Sequence, residues 1–277
     1  MINKLVIIIL LLGCFVIAVN AGEIIVSSGT SVDLKVHRSP YASALKIGQE
    51  NINVAGAAII WGNTFDNYDI HSDKRTMHKF SDYALVLYSD RTWSMGATNR
   101  VDSFGHGRYY LPKGKYPWDI VGVGFSGGGV QTLQKGFVFI WFSDGTVSTC
   151  LFPHSYFKNY YILRNSGELT CGDTNWDGKY YGYTLASGKR HKDVVGVGIA
   201  RNNLVFAYYR DGTVSAGTSD DLDSKRPATK YQLPTGMTPE DIIDIGIAYN
   251  NHVYAFYRTK AKTAPKRFKN FKIKTPK

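Results

Sequence analysis

Two stretches of this chain copy each other, and the repeat is out of phase with the chain's ends. Residues 193–217 (DVVGVGIARNNLVFAYYRDGTVSAG) and 241–258 (DIIDIGIAYNNHVYAFYR) align without gaps, 48 residues apart. Parts of the same unit recur at 84–96 (ALVLYSDRTWSMG), 119–125 (DIVGVGF) and 137–150 (FVFIWFSDGTVSTC). Each unit reads as an apolar strand, a loop, an apolar-aromatic strand, a tight turn and a Ser/Thr-rich strand. The turns Asp144-Gly145 and Asp211-Gly212 are hairpin signals, because glycine accepts the positive φ that tight β-turns need. Linkers close the units at Leu111-Pro112-Lys113-Gly114, Leu185-Ala186-Ser187-Gly188 and Leu233-Pro234-Thr235-Gly236.

The last unit stops after its second strand, at Arg258, and its missing half lies at the other end of the chain. Residues 27–34 (SSGTSVDL) match 215–222 (SAGTSDDL), and the match continues through Arg38 with Arg226, Leu45 with Leu233 and Gly48 with Gly236, always 188 residues apart. A linear array has no use for such a permutation. A ring does, because a unit shared between the two ends seals the circle and leaves no open strand edge. The sequence therefore predicts an all-β fold: a small β-propeller with four visible repeats, closed by pairing of its N- and C-terminal strands. Repeats begin near Asn53, Asp119, Asp193 and Asp241, at intervals of 66, 74 and 48 residues. The extra residues, within 60–82 and around 151–165, either lengthen loops of four blades or build a fifth. Abundant Tyr (19) and Phe (14) against 4 Met agree with β-structure.

The ends carry different messages. Residues 1–21 hold Lys4, a fifteen-residue apolar run (LVIIILLLGCFVIAV) and Val19-Asn20-Ala21. This order of charge, short apolar centre and small-residue site is that of a secretory signal peptide, and the run is shorter than the roughly 20 residues of a spanning helix. The expected organisation is a signal peptide at 1–21, a propeller at 22–258 and a basic tail at 259–277. Net charge is +11, yet residues 258–277 alone hold nine Lys or Arg and no acid, so the body is near neutral. Such a tail is attracted to anionic membrane or sulfated glycan; nucleic acid is not expected to meet a secreted protein. Cys14 belongs to the signal peptide, which leaves Cys150 and Cys171 as a disulfide in an oxidising compartment. Asn-x-Ser/Thr sequons are absent.

The strings VYAFYR, FAYYRDGTVSAGTSDDLD and YQLPTGMTPEDIIDIGIA resemble the repeat of fucose-binding β-propeller lectins of the Photorhabdus type. The resemblance is clear over 193–258 and 23–58 and partial over 83–150. Insect venom and saliva also contain secreted propeller-like families, and a short signal peptide with a basic tail fits these equally well. The lectin resemblance implies glycan sites between neighbouring blades, built from repeat residues without metal or other cofactor. Carried onto this chain, the ligand-binding candidates are Thr30, Ser31, Asp33 and Arg38, their counterparts Thr218, Ser219, Asp221 and Arg226, and the second-strand aromatics Trp141, Tyr208 and Phe256. Leu87 replaces the aromatic in the poorest copy. Gly29, Gly96, Gly172 and Gly217 align in the same scheme, with Ser31, Thr98, Thr174 and Ser219 two residues on. The motif's aspartate becomes Arg100 and Trp176 in the other copies.

These residue types suit a sugar. An aromatic ring covers the apolar face of a pyranose, and Asp, Arg, Ser and Thr bond its hydroxyl rim. Single small sites bind in the millimolar to micromolar range and gain by multivalency. Aromatics repeated on propeller strands also serve simply to pack blades together, which makes the hydroxyl, Asp and Arg loops at 30–38 and 218–226 the stronger candidates. Other signals weigh less. Gly122-Val123-Gly124-Phe125-Ser126-Gly127 matches a dinucleotide fingerprint and overlaps a nucleophile-elbow string, but no helix follows. Asp173, Asn175 and Asp177 alternate like a calcium loop without its downstream Glu. Seven scattered His show no metal spacing. The expectation is a secreted, non-enzymatic lectin for fucose-type glycans on cell surfaces, acting in venom, saliva or defence. The alternative is a secreted toxin or interaction protein that uses the propeller as scaffold and the tail for cell-surface or membrane binding.

Overall fold

A computed structural model describes residues 22–60, 83–126, 137–151, 167–172, 180–200, 202–248 and 251–259. The expected signal peptide, the tail beyond Thr259 and the calcium-like run Asp173 to Asp177 lie outside the described residues. Among those described there are seventeen strands and, as helix, only three-residue 3-10 turns. None of these helices is long and apolar enough to cross a membrane.

The strands form four antiparallel units. The chain opens with β1 (Glu23–Gly29) and β2 (Arg38–Ala44). Unit 1 follows as β3 (Val54–Ile60), β4 (Tyr83–Tyr88), β5 (Thr92–Ala97) and β6 (Arg100–Tyr110). Unit 2 contains β7 (Ile120–Ser126), β8 (Phe137–Phe142), β9 (Thr146–Leu151), β10 (Gly167–Cys171) and β11 (Tyr180–Gly182). Unit 3 is β12 (Val194–Ile199), β13 (Val205–Tyr209), β14 (Thr213–Gly217) and β15 (Arg226–Lys230). Unit 4 takes β16 (Ile242–Ile247) and β17 (Val253–Arg258) from one end of the chain and β1 and β2 from the other. The expected closure is present: β1 pairs antiparallel with β17 from Ile24 opposite Arg258 to Gly29 opposite Val253. Single parallel bridges and the β10–β6 pairing tie neighbouring units at their rims, giving one 13-stranded and one 4-stranded sheet.

The first strands of the four units, β3, β7, β12 and β16, meet at the centre, and their glycines explain how. A methyl on Gly122 would lie 2.4 Å from Val197 of β12, and one on Gly196 would lie 2.8 Å from Ile245 of β16. Gly246 abuts Ile59 of β3, and Gly56 abuts Val123 of β7. The contacts run round the circle and return to their start. This close approach, not a nucleotide, is what the Gly122-x-Gly124 pattern serves.

In units 1 to 3 the glycine at the bulge of the first strand is Gly56, Gly122 or Gly196; unit 4 has Asp244 there. The Asp244 side chain is fully buried. Its Oδ2 accepts N–H bonds from Ala57 (3.0 Å) and Val123 (2.8 Å), and its Oδ1 from Val197 (3.0 Å) and Ile245 (2.8 Å). One carboxylate therefore binds one backbone amide from each of the four inner strands. Burial pushes this carboxyl well above its ordinary range, and the four amide donors pull against that shift.

Two irregularities follow from broken repeats. Tyr88, Tyr209 and Tyr257 close their second strands with a hydroxyl bonded to Ser94 (2.7 Å), Ser215 (2.9 Å) and Ser27 (3.1 Å). Unit 2 has Phe142 at this position, and the buried Ser148 Oγ is left without a partner. Similarly, Tyr109, Tyr183 and Tyr231 donate to the carbonyls of Tyr88, Phe142 and Tyr209. Ser43 stands in that place in unit 4, too short to reach, and its buried Oγ also lacks a partner.

Asp244→Asn keeps the shape but turns an amide group towards two N–H donors. It should lower stability by at least ~2 kcal/mol, since each buried donor left unpaired costs about 1–3 kcal/mol; chemical denaturation measures this. Phe142→Tyr should raise stability by about 1 kcal/mol by pairing Ser148, read as a higher denaturation midpoint at unchanged slope.

Candidate functional site

The loops that follow the third strands of units 3 and 4 are built alike. In unit 4, Thr30 N–H bonds the Asp33 carbonyl (2.7 Å), and Asp33 N–H bonds Thr30 Oγ1 (3.1 Å). In unit 3, Thr218 N–H bonds the Asp221 carbonyl (2.8 Å). The turn is tight because Gly29 and Gly217 leave room: a methyl on either would fall within 2 Å of the Asp33 or Asp221 carbonyl oxygen. The aspartate side chains serve the turn itself. Asp33 Oδ1 accepts Lys35 N–H (3.2 Å) and Asp221 Oδ1 accepts Asp223 N–H (3.3 Å), which is the local Asx geometry.

Each loop is seated on an aromatic of the preceding unit. Trp141 Nε1 of unit 2 donates to the Ser219 carbonyl (3.1 Å), and the Tyr208 hydroxyl of unit 3 donates to the Ser31 carbonyl (3.0 Å). Burial pushes the Tyr208 hydroxyl far above its ordinary range, so it stays protonated and remains a donor. Trp141, Tyr208 and Phe256 are fully buried and present no ring face to solvent. The structure uses them to hold the units together. Two residues earlier, on the same side of each strand, Phe139, Phe206 and Tyr254 are half-buried. Sequence reasoning passed over these three rings, although strand alternation puts residues i and i−2 on one face.

The junction of units 2 and 3 has further polar groups. The Ser219 hydroxyl meets the Tyr181 hydroxyl (2.8 Å), on a half-buried ring that packs in one cluster with Trp141, Phe139 and Leu222. At the junction of units 3 and 4, Phe206 packs with Tyr208 and Leu34. Arg38 and Arg226 begin the outer strands and are exposed, with Arg38 stacked 3.8 Å over the Tyr41 ring. The structure thus brings Thr30, Ser31 and Asp33 into one loop and Thr218, Ser219 and Asp221 into another, each locked to its neighbour by an aromatic.

Unit 2 does not contain this loop, and its expected alignment shifts. Its third strand is β9, so Cys150, not Gly172, occupies the position of Gly29, Gly96 and Gly217. A side chain there forbids the tight turn. The chain instead returns on β10, where Thr170 pairs with Tyr110 and takes the place of Asp33, Arg100 and Asp221; the position assigned to Trp176 moves accordingly. Cys150 and Cys171 face each other across β9 and β10 and form the expected disulfide at the mouth of the 152–166 insert. His37 stacks on His252 at 4.2 Å, and no three or more His, Cys, Asp or Glu side chains converge among the described residues.

The opposite face of the molecule holds the linkers between units. Their glycines Gly48, Gly114, Gly188 and Gly236 have φ between +79 and +85°. In the first three linkers the next residue reaches a hairpin aspartate: Gln49 to Asp90 (2.6 Å), Lys115 to Asp144 and Lys189 to Asp211. Burial works against ionisation of Asp211, but bonds from Lys189 and Thr213 outweigh it and hold its carboxyl below the usual range.

No family model and no curated protein matches the chain. Among solved structures, the crystal structure of BBS1N in complex with ARL6DN, soaked with lead, aligns over 81% of this chain and 70% of that one, at 9% identity and a TM-score of 0.30. The architecture given above comes from the strand pairing of this chain.

The Lys189–Asp211 pair sets a pH dependence. A carboxyl held below its unfolded value near 3.9 adds stability above that pH and loses it as pH falls through the lowered value. Lys189→Met should therefore cost a small amount at pH 6, under ~1 kcal/mol for so exposed a carboxylate. The difference from wild type should shrink below about pH 4, measured by thermal melts across pH.

Proposed function

We propose that the chain is a secreted, four-bladed β-propeller lectin that binds fucose-type glycans between blades 2 and 3 and between blades 3 and 4. The observation that carries this reading is the pair of matched loops, 30–38 and 218–226. Each is anchored through its backbone on an aromatic of the preceding unit (Tyr208 to Ser31, Trp141 to Ser219). Anchoring through carbonyls leaves the Ser31 hydroxyl available, while Thr30 Oγ1 accepts from Asp33 N–H, Thr218 Oγ1 donates to the Asp221 carbonyl and Ser219 is shared with Tyr181. Half-buried Phe139 and Phe206 lie beside them to cover the apolar face of a sugar. No acid–base pair or activated nucleophile is invoked, and no cofactor is needed.

Secretion is part of the proposal. Its support is the leader sequence together with the Cys150–Cys171 disulfide, a bond that persists in oxidising compartments. Only two loops follow the full pattern. Arg100 replaces the aspartate in unit 1, and unit 2 replaces the loop with its disulfide-bound return strand. The reading therefore gives two sites per chain, each weak alone.

A glycan array should show binding to fucosylated structures, competed by free fucose. Arg38→Ala and Arg226→Ala each remove an exposed charge and should leave the melting temperature unchanged. Each should weaken affinity for a monovalent fucoside about tenfold at its own site, a ~1.4 kcal/mol effect, measured by titration. An array without fucose-dependent signal, or unchanged affinity in the double variant, contradicts the reading.

A further inference from the structure

The four linkers can be compared position by position, and two of them differ in character. The residue before the linker glycine is Ile47, Lys113, Ser187 or Thr235. The middle residue of the 3-10 turn is Ile52, Trp118, Lys192 or Glu240. Apolar side chains are therefore confined to the linkers at 45–53 and 111–119, which flank unit 1. They are strongly exposed: Ile52 and Trp118 by 73% each and Ile47 by 68%. Tyr116 stacks flat on Trp118, with ring centres 4.7 Å apart and planes 5° from parallel. Single exposed apolar residues are ordinary on protein surfaces. Four on the two linkers that flank unit 1, where the matching linkers are polar, give this part of the face an apolar character.

The chain leaves the ring beside the first of these linkers. Unit 4 has no hairpin between its second and third strands, because both chain ends meet there. Gly22 N–H bonds the Gln49 carbonyl (2.8 Å), and Asn51 Nδ2 donates to Thr259 at its carbonyl (3.4 Å) and hydroxyl. Asn51 is the residue before Ile52. The polypeptide beyond Thr259 therefore starts at the apolar linker itself. That segment, 260–277, holds eight Lys or Arg and no acid, with Phe268, Phe271 and Ile273 among them.

We infer that the linker face around Ile47, Ile52, Tyr116 and Trp118 docks on an anionic lipid surface, with the basic segment 260–277 supplying the attraction. Trp and Tyr settle at the headgroup level of a bilayer, where the ring is partly apolar and its edge stays wet. Isoleucine adds apolar insertion, and lysines next to it find acidic headgroups. Neither element is strong alone: the apolar residues are few, and the charge is screened by salt. Thr259, from which the basic segment follows in sequence, is bonded to Asn51 beside Ile52, so the two can act together. The loops proposed to bind sugar lie on the opposite face, so a docked molecule would hold them away from the membrane.

The test uses the purified chain from Gly22 to Lys277, without the leader, and vesicles free of any glycan, which separates it from the lectin reading. The protein should sediment with phosphatidylcholine vesicles containing phosphatidylserine, and not with phosphatidylcholine alone. Replacing Ile52 and Trp118 together by Ser should reduce the bound fraction about tenfold at an unchanged melting temperature. Replacing the eight basic residues of 260–277 by Gln should abolish binding. Brominated acyl chains should quench tryptophan emission of the bound wild type. Trp118→Phe should still bind but lose most of that quenching. Equal binding by the Ile52→Ser/Trp118→Ser variant would overturn the proposal. So would quenching that persists in Trp118→Phe, self-association through these apolar residues in place of vesicle binding, or binding only to a soluble sulfated polysaccharide.

Discussion

One buried carboxylate sits where the four inner strands converge. Inner strands of a ring have their third and fourth neighbours close by, and their backbone amides at the bulge point inward with no strand left to pair with. Three of the four bulges carry glycine, which allows the strands to approach. The fourth carries Asp244, whose two oxygens offer four acceptor positions. A single acidic side chain thus satisfies a fourfold set of donors, and a second one would crowd the same axis. The asymmetry of the sequence is what completes the near-symmetry of the fold.

Departures from the repeat elsewhere have local consequences of the same kind. Phe142 removes a hydroxyl and leaves Ser148 unpaired; Ser43 replaces a tyrosine and is itself unpaired. Cys150 replaces a glycine, prevents the tight return and is joined by a disulfide to the strand that replaces it. The two loops that keep the pattern, at 30–38 and 218–226, are the ones with a polar aromatic behind them. Phe256, which has no polar atom, precedes the unit whose loop has Arg100. Loop composition and aromatic anchor vary together from unit to unit.

Much of this was legible in the chain. The constant 188-residue offset fixed which ends must pair, and strand β1 lies on β17 in the register it implies. The disulfide followed from the cysteine count. The phase of unit 2 was legible in the match of 144–150 with 211–217, which sets Cys150 against Gly217, but Thr170-Cys171-Gly172 imitates the Gly-containing third strand and masked it. The exposure of the aromatics was missed because residues i and i−2 share a face, and identity alone does not tell which ring lies deeper. Asp244 was visible as the one acid aligned with Gly56, Gly122 and Gly196. Its meaning depends on four strands from distant parts of the chain converging at a point, which spacing alone does not display.

If one carboxylate ties the ring together, the amides it holds must open together. Native-state hydrogen exchange resolves the Ala57, Val123, Val197 and Ile245 amides individually. All four should exchange only through global unfolding, with the same opening free energy and the same denaturant dependence. Exchange of any one of them by a separate, local opening, while the other three stay protected, would contradict a ring fastened at Asp244.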